Sequence, residues 1–276
     1  MWYNENMKDL LNDKKKMMII LGVVAILGLL LIFSLGEEKP ELMPAEAEEM
    51  NHYDLEAFFL DEKGRLCYED TQWTSLIGVD VSSYQNQVDW KRVAADGVEL
   101  AMVRLGYRGY SSGTMNLDPY FEENVKGAGN ADLYVGVYFF SQAVTKEEAM
   151  DEARFVLRKI RGMKIDGPIA YDMEYIPGAD RINGLTVEEK TELADAFCQV
   201  IEENGYRAMI YGNPTWFTED VNLSALSHRG IWLAHYIDMT RWPFGYWMWQ
   251  YTDQGIVDGI EGTCDLNIWL QKKIAE

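Results

Sequence analysis

The 276-residue chain is 48% hydrophobic and 13% aromatic, enough to bury a sizeable core and to exclude a disordered protein. Its 45 acidic residues against 25 basic ones leave a formal net charge of −20, which excludes nucleic acid as a partner because phosphate binding needs a basic surface. His52, His228 and His235, with Cys67, Cys198 and Cys264, show neither His-Glu-x-x-His nor Cys-x-x-Cys spacing, so no metal site is expected and zinc hydrolysis is set aside.

Residues 17–36 read MMIILGVVAILGLLLIFSLG, an uncharged run about long enough to cross the hydrocarbon core as a helix. Lys14, Lys15 and Lys16 precede it and Glu37 and Glu38 follow. The positive-inside rule then leaves residues 1–16 in the cytoplasm and the remainder outside a single-pass cell-membrane protein. A cleaved signal peptide would have a shorter apolar region and an Ala-x-Ala-like site, which SLGEEKPEL lacks. Residues 37–75 read as a solvated acidic stalk, twelve acids against Lys39, Lys63 and Arg65 by residue 70. Within it, AFFLDEKGRLCYED has two apolar patches about a turn-like Glu62-Lys63-Gly64, the pattern of a small hairpin.

Residues 76–276 are rhythmic. Strand-like IGVDV is followed by a helical VDWKRVAAD stopping at Gly97, then by strand-like VELAMVRLGY. Asp118-Pro119 is a favoured start for the next helix, and LYVGVYFF follows. Capping-box patterns at Thr145–Glu148 and Thr186–Glu189 open two amphipathic helices, the first before GPIAYDMEY and the second before YRAMIYG. IWLAHY, YWMWQY and GTCDLN look like further strands with short links. Four strand–helix repeats imply a parallel sheet, and eight strand candidates in this span suit an irregular, TIM-like (β/α) barrel with fewer helices than strands. No Gly-rich phosphate loop follows the first strand.

Barrel enzymes work at the C-terminal ends of their strands. Polar residues recur there: Asp80, Asp172, Glu174, Tyr211, Asn213, His235, Gln250 and Asp265. In AYDMEY, strand alternation points Asp172 and Glu174 the same way, and two acids in one small volume raise at least one pKa. Asp-x-Glu alone is a weak signal, for another stands at Asp54–Glu56.

In sequence order, GVDVSSYQ, the Asp-x-Glu of AYDMEY, IYGNPTWF, WLAHY and WQYTDQG…GIEGTCDLN resemble the glycoside hydrolase family 25 lysozymes, the N-acetylmuramidases. The resemblance spans Ile77 to Trp269. It implies an eight-stranded barrel that cuts the β-1,4 bond between N-acetylmuramic acid and N-acetylglucosamine in peptidoglycan. It also implies Glu174 as general acid with Asp172, Asp80 and Asp265 as its acidic companions. Many members have histidine where Phe139 stands and glutamine where His235 stands; these departures imply cleft variation, since neither removes a carboxylate. Glycosidic cleavage needs an acid for the leaving oxygen and a negative group beside the oxocarbenium-like centre. Asp172 is then either a nucleophile or the group that positions the substrate's N-acetyl arm, and neither route needs a cofactor.

Tyr84, Tyr107, Tyr110, Tyr175, Tyr211, Trp216, Tyr236, Trp242, Trp249 and Tyr251 lie near strand ends, where rings either stack on pyranose faces or pack in the core; Gln250 is a polar partner for substrate. The partners expected are peptidoglycan glycan strands and the membrane. Two other readings stay open, a non-catalytic wall-binding module and a barrel glycosidase of another class such as a chitinase. Cys198 lies on the apolar face of a helix and is expected in the core. Cys67 and Cys264 flank the barrel sequence, whose ends meet in a closed barrel, so a disulfide between them is one expectation outside the cell.

Overall fold

The β-branched and aromatic runs form strands in the order expected. In a computed structural model, which describes residues 50–179 and 181–273, eight of them close into a barrel. These are β3 (Trp73–Val81), β4 (Leu100–Arg108), β6 (Tyr134–Ser141), β7 (Ile169–Met173), β8 (Ala208–Gly212), β9 (Gly230–Ala234), β10 (Met248–Gly255) and β11 (Cys264–Lys272). They run around the barrel as β4-β6-β7-β8-β9-β10-β11-β3, and pairing of β3 with β4 closes the ring. Four helices cover the outside: α1 (Trp90–Ala95), α2 (Phe121–Asn130), α3 (Lys146–Lys159) and α4 (Val187–Glu203).

One strand departs from the parallel sheet expected. β11 is antiparallel to both β10 and β3. The link 256–263 between β10 and β11 is shorter than the dozen or so residues a parallel crossover needs, so the chain can only turn back. A short strand, β5 (Met115–Leu117), adds to the outer end of β4, where a Cβ on Gly106 would come within 2.1 Å of the Asn116 carbonyl oxygen.

Period-two alternation sorts the side chains into an inner and an outer core. Along β4, Leu100, Met102 and Arg104 face the barrel axis, while Ala101, Val103 and Leu105 pack outward under the helices. The floor of the barrel is filled by Leu100, Met102, Ala170, Met209, Trp232, Met248 and Trp269. Gly136 makes room there: a Cβ would meet the Met102 sulfur at 2.4 Å. The next inward positions toward the C-terminal ends are polar, which opens the barrel at one end only.

Helix starts follow local chemistry with two differences. Thr186 and Glu189 form the complete reciprocal box at α4. At α3, Thr145 accepts from the Glu148 N–H, but the Glu148 carboxylate turns away to the Val144 N–H and to Arg181. Asp118 stands two residues before the N-cap of α2, Tyr120, whose N–H its Oδ1 accepts at 2.9 Å, while its Oδ2 takes the Arg104 guanidinium at 2.9 Å and the Ser83 N–H at 3.0 Å. The acid thus serves the helix entry with one oxygen and a partly buried cation with the other.

The segment expected as a solvated stalk is, from Met50 onward, packed on the barrel. Its hairpin forms as read, β1 (Phe58–Leu60) against β2 (Leu66–Tyr68). Phe58 sits on Tyr68 and Trp249, the Tyr53 hydroxyl donates to the Tyr246 carbonyl at 2.9 Å, and Arg65 pairs with Asp96. Most of the charge of this stretch faces outward, while Tyr53, Phe58 and Tyr68 are buried. The expected transmembrane stretch 17–36 lies outside the described residues, among which no helix is long and apolar enough to cross a membrane. Cys198 is buried on α4 as read, and Cys67 and Cys264 are both free thiols rather than a bridged pair.

Phe58→Ala should remove a buried ring from the seam between hairpin and barrel. The expected loss is about 3–5 kcal/mol in denaturant-induced unfolding; a change within about 0.5 kcal/mol, the usual range of surface substitutions, would mean that the hairpin does not contribute to the fold.

Candidate active site

Strand geometry delivers the polar residues to one place. Asp80 and Asp265 are direct cross-strand partners on β3 and β11, and Gln250 and Asn267 are partners one layer below. Asp172, the penultimate residue of β7, pairs with Tyr211 of β8, and Glu174 follows two residues later on the same face. All of these but Asn267, with Ser83, Tyr84, Arg104, Tyr107, Tyr138, Trp232 and Tyr236, line a cleft of about 680 Å3 at the C-terminal mouth.

The four carboxyls form two hydrogen-bonded pairs, Asp172 with Glu174 and Asp80 with Asp265. Burial raises all four above the ordinary carboxyl range. For Asp172, only 4% exposed, the charge and hydrogen bond of Glu174 raise it further, whereas the bond from Asp172 opposes the rise at Glu174. Burial and the like charge of the neighbour thus keep a proton on the pair.

Asp265 is pushed up to about 8 by burial and by Asp80 beside it. Asp80 keeps the negative charge of its pair because amides feed it: Gln250 donates to Oδ2 at 2.9 Å and Asn267 at 2.8 Å. Both amides are themselves oriented. The Trp232 indole donates to the Asn267 oxygen at 2.7 Å, and the Tyr211 and Tyr236 hydroxyls donate to the Gln250 oxygen at 2.9 and 2.7 Å. Arg104 adds a positive charge, held by Asp118 and Ser83 and stacked over Tyr84 and Tyr107. Asp172 Oδ1 is buried without a hydrogen-bond partner. Among the described residues no group of three or more His, Cys, Asp or Glu side chains is disposed to hold a metal ion.

Of the residues singled out in the sequence, Asp80, Asp172, Glu174, Asp265, Tyr84, Tyr107, Tyr211, Tyr236 and Gln250 meet in this cleft. Trp249 does not. It points outward, fully buried between Phe58 and Tyr251, and its indole donates to the His235 carbonyl at 2.8 Å. Tyr175 lies outside the carboxyl cleft in an adjoining hollow, which His235 also lines. Phe139 is likewise no cleft residue, since it is buried outside the barrel against Phe155 of α3. Sequence reading missed Arg104, Asn267, Tyr138 and Trp232. The signal was available: Asn267 stands two residues from Asp265, and Arg104 two from Met102, on the same inward face.

The sequence profile described as Glycosyl hydrolases family 25 matches residues 79–260, a range that holds Asp80, Asp172 and Glu174 and stops just short of Asp265. The chain belongs to this family and is a glycoside hydrolase. It is 28% identical over 201 residues to YegX of Escherichia coli K12, covering 70% of this chain and 68% of that one. It is 25% identical over 191 residues to the autolytic lysozyme of Clostridium acetobutylicum, covering 69% of this chain and 54% of that one. Among solved structures, the modular autolysin LytC from Streptococcus pneumoniae, in complex with synthetic peptidoglycan ligand, superposes with a TM-score of 0.64 at 21% identity. That match covers 80% of this chain but only 52% of LytC, so the likeness is one of barrel fold.

The raised carboxyls make stability depend on pH. Between an unfolded value near 3.8 and a folded value near 8, Asp265 binds a proton more tightly in the native state. Its stabilising contribution is therefore complete below about pH 4 and lost as pH rises through about 8, and the raised Asp80, Asp172 and Glu174 act in the same direction. Thermal unfolding of Asp265→Asn should show a flatter fall in Tm from pH 5 to pH 8 than the parent, with the variant the more stable at pH 8. An unchanged slope would mean that Asp265 is not a buried, proton-holding acid.

Proposed function

We propose that this glycoside hydrolase is an N-acetylmuramidase that cuts the β-1,4 bond from N-acetylmuramic acid to N-acetylglucosamine in peptidoglycan, tethered outside the cell by residues 17–36. The observation that carries the reading is the Asp172–Glu174 pair, its aspartate buried and its glutamate open to the cleft, with Asp80–Asp265 at the same mouth of the barrel. The lysozyme name of the Clostridium relative and the peptidoglycan ligand of LytC support the choice of substrate.

The chemistry follows from the shared proton. When substrate fills the cleft, Glu174 gives the proton of the pair to the glycosidic oxygen as the bond to the anomeric carbon breaks. Asp172 is left as the anion. Its unpartnered Oδ1 accepts the N–H of the substrate's acetamido group and holds the acetamido oxygen against the anomeric carbon, the substrate-assisted route. Asp80, anionic between two amides, supports the developing positive charge from the far side. Water then opens the intermediate and restores the proton.

Glu174→Gln should lower turnover by about 10²–10⁴-fold with little loss of folding, and the effect should be non-additive with Asp172→Asn, since the pair serves one transition state. Peptidoglycan digested by the full chain should gain N-acetylmuramic acid at its new reducing ends; N-acetylglucosamine there would indicate another glycosidase class, and no new ends a binding module. For the tether, the uncharged run 17–36 and its flanking charges are the support. Protease added to intact cells should remove the barrel, and a fully protected barrel would refute the orientation.

A further inference from the structure

Glu174 lies one residue past the end of β7, where the sheet no longer holds its main chain. The ladder to β6 ends at the pair Ser141 and Met173, and the ladder to β8 ends one residue earlier, at Asp172 and Tyr211. The next residues on β6 and β7 are Gln142 and the acid itself, and here a side chain takes over from the ladder. Gln142, only 1% exposed, donates from Nε2 to the Glu174 carbonyl at 2.9 Å.

Gln142 is held in turn at its own main chain. Its carbonyl accepts from Arg181 Nε at 2.6 Å, and Arg181 Nη2 reaches both oxygens of Glu148 at 2.6 Å. The Glu148 carboxylate also takes the Val144 N–H at 2.9 Å, and the Ser141 hydroxyl accepts from the Ala143 N–H at 3.2 Å while donating to Glu152. Side chains thus do for residues 141–144 what a neighbouring strand does for the rest of β6.

Arg181 belongs to the loop that the acid begins. Pro177 and Gly178 turn that loop: the Ala179 N–H donates to the Ile176 carbonyl at 3.0 Å, and Gly178 has a φ of +80°, the second corner of a type II turn. The turn sends Arg181 back across the end of β6. The stretch 174–181 is therefore fastened to Gln142 twice, by the Glu174 carbonyl at its start and by the Arg181 guanidinium at its end.

We propose that Gln142 and Arg181 are positioning residues for the acid, fixing through the Glu174 main chain where its carboxyl meets the glycosidic oxygen. The inference rests on the hydrolase reading of Glu174. Neither residue lines the carboxyl cleft, so each acts through geometry and not through contact with substrate. A reacting group misplaced by about 1 Å loses on the order of 10²-fold in rate.

Changing the leaving group separates a misplaced acid from general damage. A sugar needs a proton in order to leave, whereas 2,4-dinitrophenolate leaves without one, so misplacing the acid slows the first and spares the second. In the full chain, kcat/KM is measured on a soluble peptidoglycan tetrasaccharide and on the 2,4-dinitrophenyl β-glycoside of N-acetylglucosaminyl-N-acetylmuramic acid. Gln142→Met, which keeps the volume and loses the donor, should lower the first value by about 10- to 100-fold and the second by less than about threefold. Arg181→Met, at a less buried position, should show the same split to a smaller degree. Once Glu174→Gln has removed the proton, adding Gln142→Met should cost nothing further on the tetrasaccharide. Arg154→Ala, exposed on α3, is the control and should leave both values alone. Equal losses on the two substrates in both Met variants, or full additivity with Glu174→Gln, would overturn the positioning role and leave the hydrolase reading standing. A parent chain that cleaves neither substrate would overturn both.

Discussion

Four carboxyl groups share the one open end of a closed barrel, and the surrounding structure answers the cost of keeping them there. A carboxylate stripped of water costs several kcal/mol unless it is paired or hydrogen-bonded. Here the cost is reduced in two ways. Each pair retains a proton, so that four acids carry fewer than four charges, and the anionic member is fed by amides whose own orientation is locked from below. Trp232 fixes Asn267, and Tyr211 with Tyr236 fixes Gln250. The barrel floor thus does more than fill space, since its indole decides which atom of Asn267 faces Asp80.

The same logic extends to the rim. Arg108 and Glu152 form a buried ion pair between β4 and α3, with Ser141 donating to the free carboxylate oxygen at 2.6 Å and the Arg108 guanidinium also reaching the Gly113 and Glu148 carbonyls. Arg181 joins the following loop to this cluster through Glu148 and the Gln142 carbonyl, and the Gln142 side chain donates to the Glu174 carbonyl. A continuous set of polar contacts therefore runs from α3 to the backbone of the acid itself. Loops after barrel strands are where function varies, and here they are tied down by charge-assisted bonds rather than by apolar packing.

The N-terminal hairpin belongs to the same economy of burial. It covers the outer face of β10 and β11, where Trp249 would otherwise face solvent, and Arg65 reaches across to Asp96 after α1. Residues 50–72 precede the family match, yet they complete the outer core of the domain.

The sequence by itself determined the elements that depend on near neighbours. Period-two alternation, the Thr186–Glu189 box and the Glu62-Lys63-Gly64 turn are local, so eight strands, the helix starts and the hairpin were legible, as was the shared face of Asp172 and Glu174. What needed the tertiary structure was every question of which distant group wins a contact. Asp118 keeps the N–H of Tyr120 at the start of α2, as its local chemistry allows, but Arg104 lies opposite its second oxygen only once β4 is in the barrel. Trp249 and Tyr175 each stand near a strand end, and only closure of the barrel turned the first into the outer core and the second out of the carboxyl cleft. The acidic content of residues 50–75 suggested a solvated stalk because composition counts charges without saying which face carries them.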